Sequence, residues 1–309
     1  MFVVTYRKIW FALSSALLVG SLWALFQYGF NFSIDFKGGT ITEVQYLQRP
    51  DKSLVEREIA KLGLGGFSLR PSGEENYVVR TRELEGDEKS AIFRAMSIGG
   101  ETPILERQNS IGPTAGSELR SKAFKAIAVV VAMIVLFITF AFRGVSLGHS
   151  SMGEAKPVQS WKYGLATIIA LAHDVIIPTG IFVYLGYASG VEIDLLFITG
   201  LLAILGYSVH DTIVVFDRVR ENLLLNNQRN VKEEFELTVG NSVAQTFARS
   251  INTSMTIFIT LFALYLFGAT ATKTFALLLI VGLIAGTYSS IFIASPLLVT
   301  FYRWQKKGN

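Results

Sequence analysis

Two His-Asp pairs, His173-Asp174 and His210-Asp211, and one arginine, Arg249, sit within or at the edge of long apolar runs. An ionisable side chain at the centre of a membrane helix is unfavourable by about 2.5–3.5 kcal/mol on insertion scales, so it is kept where it does something. Pro178 follows Asp174 by four residues. Proline has no N–H, so the Asp174 backbone carbonyl loses its helical donor beside the carboxyl group. The plain alternative is a structural kink with a paired aspartate. Ser208 precedes Asp211 by three residues on the same helical face, and Thr212 follows it. Arg249 shares a face with Thr253, and Thr256 and Thr260 extend a polar stripe. An arginine can hold a carboxylate but does not release its own proton. Farther along, Asp217, Arg218, Arg220 and Glu221 read as a solvated helix end with snorkelling arginines.

Other chemistries lack their residues. There is no G-x-x-x-x-G-K-[ST] loop for a nucleotide and no H-E-x-x-H metal motif. Gly148-His149-Ser150-Ser151-Met152 is not the G-x-S-x-G elbow, and His149 reads as a solvated loop residue. The absence of cysteine removes disulfides, thiolate metal sites and cysteine nucleophiles together. With no nucleophile–base–orienter set, neither an enzyme, a cofactor nor a metal is expected. The net charge of +4 does not mark a nucleic-acid face. Residues 31–121 hold 12 basic and 14 acidic side chains, and the other basic residues cluster at the ends of apolar runs. Membrane-embedded Asp and Arg without a nucleotide site point to an ion gradient as the energy source.

Such residues need elements that hold them in a bilayer. With 51% apolar and 17% charged residues, the chain is too apolar for a wholly soluble protein, which carries about 25% charged residues. A helix needs about 20 apolar residues to cross. Six runs qualify, near Ile9–Phe30, Ala123–Phe142, Tyr163–Tyr187, Asp194–Phe216, Ile251–Phe267 and Phe275–Trp304. The first follows Arg7-Lys8 as a signal peptide would, but its length and the lack of an A-x-A site predict a retained anchor. The last is long enough to tilt or to extend beyond the lipid. In the short loops, Lys273 stands alone on one side and all other Lys and Arg fall on the other. The positive-inside rule then places both termini in the cytoplasm and residues 31–121 outside.

The expected organisation is a first transmembrane helix over 1–30, a periplasmic α+β domain over 31–121, and a five-helix bundle with cytoplasmic loops over 122–309. In the outer part, Thr40–Leu47 alternates as a strand, and Leu54–Leu62 has helical spacing with Ser53 as its N-cap. Phe67–Arg70 and Tyr77–Thr81 read as strands around a Pro71-Ser72-Gly73 turn. Lys89–Met96 reads as a helix and Pro103–Gln108 as the last strand. This βαββαβ order is the split βαβ, ferredoxin-like arrangement. The fold class is thus a polytopic α-helical membrane protein with six transmembrane helices and one ferredoxin-like α+β domain between the first and second. Gly38 and Gly39 are expected as a hinge after the first span, since glycine tolerates backbone angles that other residues avoid.

At several of these places the sequence resembles the SecF family, the smaller partner of SecD in bacterial Sec protein export. The resemblance runs from the first span to Pro296. It rests on Ile34-Asp35-Phe36-Lys37-Gly38-Gly39, on Ile111-Gly112-Pro113 with Gly116, Glu118 and Leu119, and on Ala172-His173-Asp174-Val175. It rests also on the run from Gly206 to Asn222, on Arg249-Ser250-Ile251-Asn252-Thr253-Ser254, and on Gly286-Thr287-Tyr288-Ser289-Ser290. Ser33 stands where many members have glycine, and Thr274, which cannot ionise, where many have an acid.

The resemblance implies a twelve-span SecD–SecF unit of the resistance–nodulation–division type. Such a unit works with the SecYEG channel in the bacterial inner membrane and uses the proton motive force, or sodium in some relatives, to help move unfolded exported chains. A chain without a SecD-like half implies a non-covalent SecD partner. The family's membrane-embedded charged residues correspond to Asp211 and Arg249, with Asp174 also a candidate. His173, Ser208, His210, Thr212, Asn252 and Thr253 would give polar support. Asp211 is expected to respond to the proton, with Arg249 as its switchable partner. Gly282 and Gly286, at i and i+4, are expected at the SecD interface, because small residues let helices approach closely. Two other readings share these features. One is half of an exporter of the same superfamily, which would normally be a single chain with two large outer domains. The other is a non-conducting structural partner of SecD.

Overall fold

The computed structural model describes residues 2–98, 100–143, 159–231 and 233–307; His149 lies outside them. In chain order the elements are α1 (Phe2–Thr5), α2 (Arg7–Tyr28), α3 (Ile34–Lys37), β1 (Gly39–Gln45), α4 (Lys52–Ala60), β2 (Ser68–Ser72), β3 (Asn76–Thr81) and α5 (Asp87–Ala95). There follow β4 (Ile104–Ile111), α6 (Pro113–Ala141), α7 (Ser160–Ser189), α8 (Leu195–Gln228), α9 (Phe235–Phe267), α10 (Thr270–Ser289), a π-helical turn at Ser290–Ala294, and α11 (Ser295–Lys307). Two compact units result. An α+β unit comprises Phe32–Lys125 with Glu192–Leu195, and a helical unit takes Met1–Asn31, Ala126–Val191 and Leu196–Asn309.

The α+β unit is a four-stranded sheet in the order β2-β3-β1-β4, with every neighbouring pair antiparallel. This is the ferredoxin-like arrangement that the element order predicts. Val44, Leu69 and Val79 from the strands meet Val55 and Ile59 from α4, Ile92 from α5 and Met96 just after it in one buried core. The Tyr46 hydroxyl donates to the Met96 carbonyl at 2.7 Å, and burial pushes its phenol above the usual range. Two local readings change. The N-cap of α4 is Asp51, not Ser53. Asp51 Oδ1 accepts the Ser53 backbone N–H at 3.0 Å, which holds its carboxyl below the usual range. The residues Pro71-Ser72 belong to β2 and pair with Tyr77 and Asn76. A proline is tolerated there because β2 is an edge strand with one unpaired side.

Gly38 and Gly39 occupy a tightly packed corner, where a hinge was expected. Gly38 has φ of 79°, and a Cβ on it would lie 2.7 Å from Pro113 Cα. Gly39 has φ of 127°, and its Cβ would lie 2.6 Å from the Thr81 carbonyl oxygen. Gly116, in the first turns of α6, would in turn press on the Gly38 nitrogen at 2.8 Å. Only glycine fits such angles and distances together.

Among the described residues six helices are long and apolar enough to cross a membrane. In α7, α8 and the run containing α10 and α11, between 56 and 67% of the apolar window is buried within the chain; in α2, α6 and α9 the share is 11–17%. The first three therefore form the centre of the helical unit. Glycines let α8 and α10 meet at four-residue steps. A Cβ on Gly200 would lie 2.6 Å from Leu278, one on Gly282 would overlap Ile204, and one on Gly286 would lie 3.0 Å from Ser208 Cβ. Gly282 and Gly286 are thus buried against the chain's own α8, and this corrects their expected place at a partner interface. Helix α7 continues through Pro178. The last apolar run is not one plain helix. Pro296 offers no N–H to the Phe292 carbonyl, and the turn before it widens to π geometry, with Ser295 Oγ donating to the Ser290 carbonyl at 3.1 Å.

Candidate functional site

The centre of the helical unit holds two carboxyl groups in contrasting surroundings. Asp174, on α7 one turn before Pro178, is fully buried. His173 Nδ1 lies 2.9 Å from its Oδ1. The Ser289 hydroxyl donates to Oδ2 at 2.8 Å, and the Ser208 hydroxyl donates to the same oxygen. Three hydrogen-bonding side chains from α7, α8 and α10 converge on one carboxyl group, which is the arrangement a buried polar group requires. The His173 ring stacks on Tyr288 with centroids 5.8 Å apart, and the Tyr288 hydroxyl donates to the Trp10 carbonyl at 3.1 Å. Ser14 lies 3.0 Å from the same hydroxyl, so α2 joins the network.

Ser208 couples this cluster to the next turn of α8. Its backbone carbonyl accepts from Thr212 at 3.1 Å and from Ser290 at 3.2 Å, and the Thr212 and Ser290 hydroxyls are 2.9 Å apart. The serine that shares a face with Asp211 therefore serves Asp174.

Asp211 lies one turn beyond Ser208 and is 7% exposed. Its carboxyl group accepts one long hydrogen bond, 3.4 Å, from Ser254 of α9. The Ser254 and Thr287 hydroxyls are 2.7 Å apart. Thr287 of α10 can donate to Ser254, and Ser254 to Asp211, in one chain across three helices. A protonated Asp211 could donate in the opposite direction along the same chain. Among the described residues Asp174 is thus held by three hydrogen-bonding side chains and Asp211 by one.

Arg249 is not at this carboxylate. Its side chain is exposed, and among the described residues it makes no ion pair. Ser254 follows it by five residues, about 140° around the helix, so α9 offers Asp211 its serine and turns its arginine elsewhere. Asn252, Thr253 and Thr256 are exposed with it, their helix held by Thr253 and Thr256 bonds to the carbonyls of Arg249 and Asn252. His210 is also exposed. The structure therefore groups His173, Asp174, Ser208 and Thr212 around the centre and leaves His210, Arg249, Asn252 and Thr253 on outer faces.

Sequence reasoning missed Ser289, Ser290, Tyr288 and Ser14 as parts of the network. The readable signal is a pair of serines beside a tyrosine in an otherwise apolar run, six residues before Pro296 at its nearer end.

A family model described as "Protein export membrane protein SecD/SecF, C-terminal" matches residues 158–304, a range that holds Asp174, Asp211 and Arg249. A second, the SecD/SecF GG motif, matches residues 23–46, around Gly38 and Gly39. The chain is 38% identical to the protein translocase subunit SecF of Thermobaculum terrenum, over 99% of this chain and 94% of that one. It is 36% identical to the protein translocase subunit SecF of Anaerolinea thermophila, over 98% and 96%. Among solved structures, SecDF of Thermus thermophilus, described as a translocon-associated membrane protein, superposes with a TM-score of 0.82 at 29% identity. That match covers 97% of this chain and 38% of the longer one. A structure of SecDF in its super-membrane-facing form matches with a TM-score of 0.65 at 28% identity.

Proposed function

Because the chain belongs to the SecF family of protein translocase subunits, we propose that it forms the SecF half of a SecD–SecF pair that uses the proton motive force to assist translocation through SecYEG. In this reading it sits in the bacterial cytoplasmic membrane with both termini inside and residues 31–121 outside, where the translocating chain emerges. The observation that carries the reading is the contrast between the two carboxyl groups. Asp211 accepts one 3.4 Å hydrogen bond, whereas Asp174 has three hydrogen-bonding side chains. Protonating a carboxyl group with few fixed donors strands fewer of them, so Asp211 can change its protonation at a lower cost than Asp174.

In this scheme Asp211 takes the proton and Asp174 becomes the anchor that fixes α7, α8 and α10 around it. Proton arrival at Asp211 would reverse the hydroxyl chain through Ser254 and Thr287 and so alter how α9 is held. Each charge crossing 100 mV supplies about 2.3 kcal/mol, enough to bias a two-state helix contact. The exposed Arg249, Asn252, Thr253 and Thr256 face of α9 is too polar for lipid and fits a covering partner, which is the place for SecD. There Arg249 would serve an ion path shared by the two halves.

The test uses inverted membrane vesicles that contain SecYEG and SecD, with and without this chain. The chain should add a component of translocation that an uncoupler abolishes. Vesicles in which the chain leaves translocation and its uncoupler sensitivity unchanged would contradict the proposal.

A further inference from the structure

A cavity of about 600 Å³ opens at the N-terminal corner of the helical unit, between the start of α2, the start of α9 and α11. We propose that it binds a phosphoryl group, either the headgroup of an anionic phospholipid or free phosphate. Neither source is needed for proton coupling, so the inference stands apart from the function proposed above.

Arg7, Lys8 and Arg303 line the cavity against two carboxylates, Glu234 and Glu236. Glu236 is occupied. Arg303 donates to both of its oxygens, from Nη2 at 2.5 Å and also from Nε, and Arg7 approaches within 3.8 Å. Its effect is to hold two guanidinium groups at the wall. Lys8 is exposed and makes no ion pair among the described residues. One positive charge is left over, on Lys8, beside two guanidinium groups that Glu236 holds in place before any ligand arrives. Guanidinium groups match phosphate oxygens in paired hydrogen bonds.

Backbone adds to this charge. The first turns of α2 and α9 both contribute to the lining, and neither N-cap residue, Tyr6 or Glu234, caps its helix with a side chain. Two long helices thus bring the positive ends of their dipoles to one cavity. The depth also suits a headgroup. Phe2, Tyr6 and Trp10 form a ring cluster, with centroids 5.3 and 5.5 Å from Phe2, and Phe2 and Tyr6 are 59% and 49% exposed. Exposed aromatic residues of this kind sit at the membrane–water interface, and basic pockets between helices there take phosphorylated headgroups.

The chain, purified with SecD in mild detergent, is examined by native mass spectrometry for retained phosphatidylglycerol and phosphatidylcholine. The wild type should retain the anionic lipid in preference, and Lys8→Gln should reduce that preference about five-fold. Arg7→Gln should do the same, and Lys273→Gln, distant from the cavity, should not. In a second arm the chain is placed in phosphatidylcholine nanodiscs and melted with millimolar inorganic phosphate. Protection that Lys8→Gln removes would identify free phosphate as the source, whereas lipid retention alone would identify the headgroup. Either result supports the site. Equal retention of both lipids without phosphate protection, or a preference unchanged in Lys8→Gln and Arg7→Gln, overturns it. Among the described residues Lys8 makes no ion pair that folding could depend on, so its variant reads binding rather than assembly.

Discussion

Replacing Asp174 by alanine should be far more damaging to assembly than any change at Asp211. The carboxyl group is fully buried and is hydrogen-bonded by His173, Ser208 and Ser289. Alanine leaves Ser208 and His173 without their partner in a place water does not reach, while the Ser289 hydroxyl keeps the Gly286 carbonyl at 3.1 Å. Each buried polar group so stranded costs about 1–3 kcal/mol, giving about 2–6 kcal/mol in all. Against a total stability of about 5–15 kcal/mol, that is enough to prevent accumulation. Asparagine is a milder change. Its carbonyl accepts from one serine, its amide donates to a turned hydroxyl and to the other tautomer of His173, and the cost falls to about 1–3 kcal/mol. The assay is the amount of chain in membranes, followed by the melting temperature of the purified SecD complex from tryptophan fluorescence. The order expected is wild type, then Asp174→Asn, then a barely detectable Asp174→Ala. An alanine variant that accumulates and melts like the wild type would refute the anchoring role.

Three further outcomes follow from the packing and the charges. Gly282→Leu should lower the melting temperature of the chain even without SecD, because its side chain would collide with Ile204. Overpacking costs about 1–3 kcal/mol, and an added Ile204→Ala should recover part of it; a defect seen only when SecD is present would return this glycine to the partner interface. Gly39→Ala, at φ of 127° and 2.6 Å from the Thr81 carbonyl, should reduce hydrogen-exchange protection in β1 and β3, and unchanged protection would remove the packed-corner account. The Glu192 carboxyl, which faces Arg80 in an ion pair, is pushed up by burial, an effect the Arg80 charge only partly offsets. Its contribution to stability is therefore present below the ordinary glutamate range and lost as pH rises through the raised value. Relative to Glu192→Gln, the wild-type α+β unit should lose denaturant resistance across that window, and a difference independent of pH would contradict the assignment.

The spans were legible because each needs only length and apolar content, and residues such as Leu, Ile, Val and Phe supply both. The ferredoxin-like order was legible because Thr40–Leu47 and Lys89–Met96 differ in period. What the sequence concealed was direction. Ser208 and Asp211 share a helical face, yet Ser208 turns to Asp174 on another helix, and periodicity within one helix does not say which neighbour lies opposite. Arg249 and Asp211 look like partners by charge alone, whereas the phase of α9 places Ser254 at the carboxylate. The small residues Gly282 and Gly286 announce a close contact without naming its other side, which here is α8. The π turn depends on how Pro296 is accommodated, and a proline in a long apolar run signals a disturbance but not its form.

The most direct test of the account is Asp211→Asn in inverted vesicles with SecD and SecYEG. Asparagine keeps the shape and can still accept from Ser254, but it cannot take up a proton. The variant should accumulate, melt and co-purify with SecD as the wild type does, and its translocation should lose the part that an uncoupler abolishes. If Asp211→Asn vesicles keep full uncoupler-sensitive translocation, the proton is carried elsewhere and the role given to Asp211 is wrong.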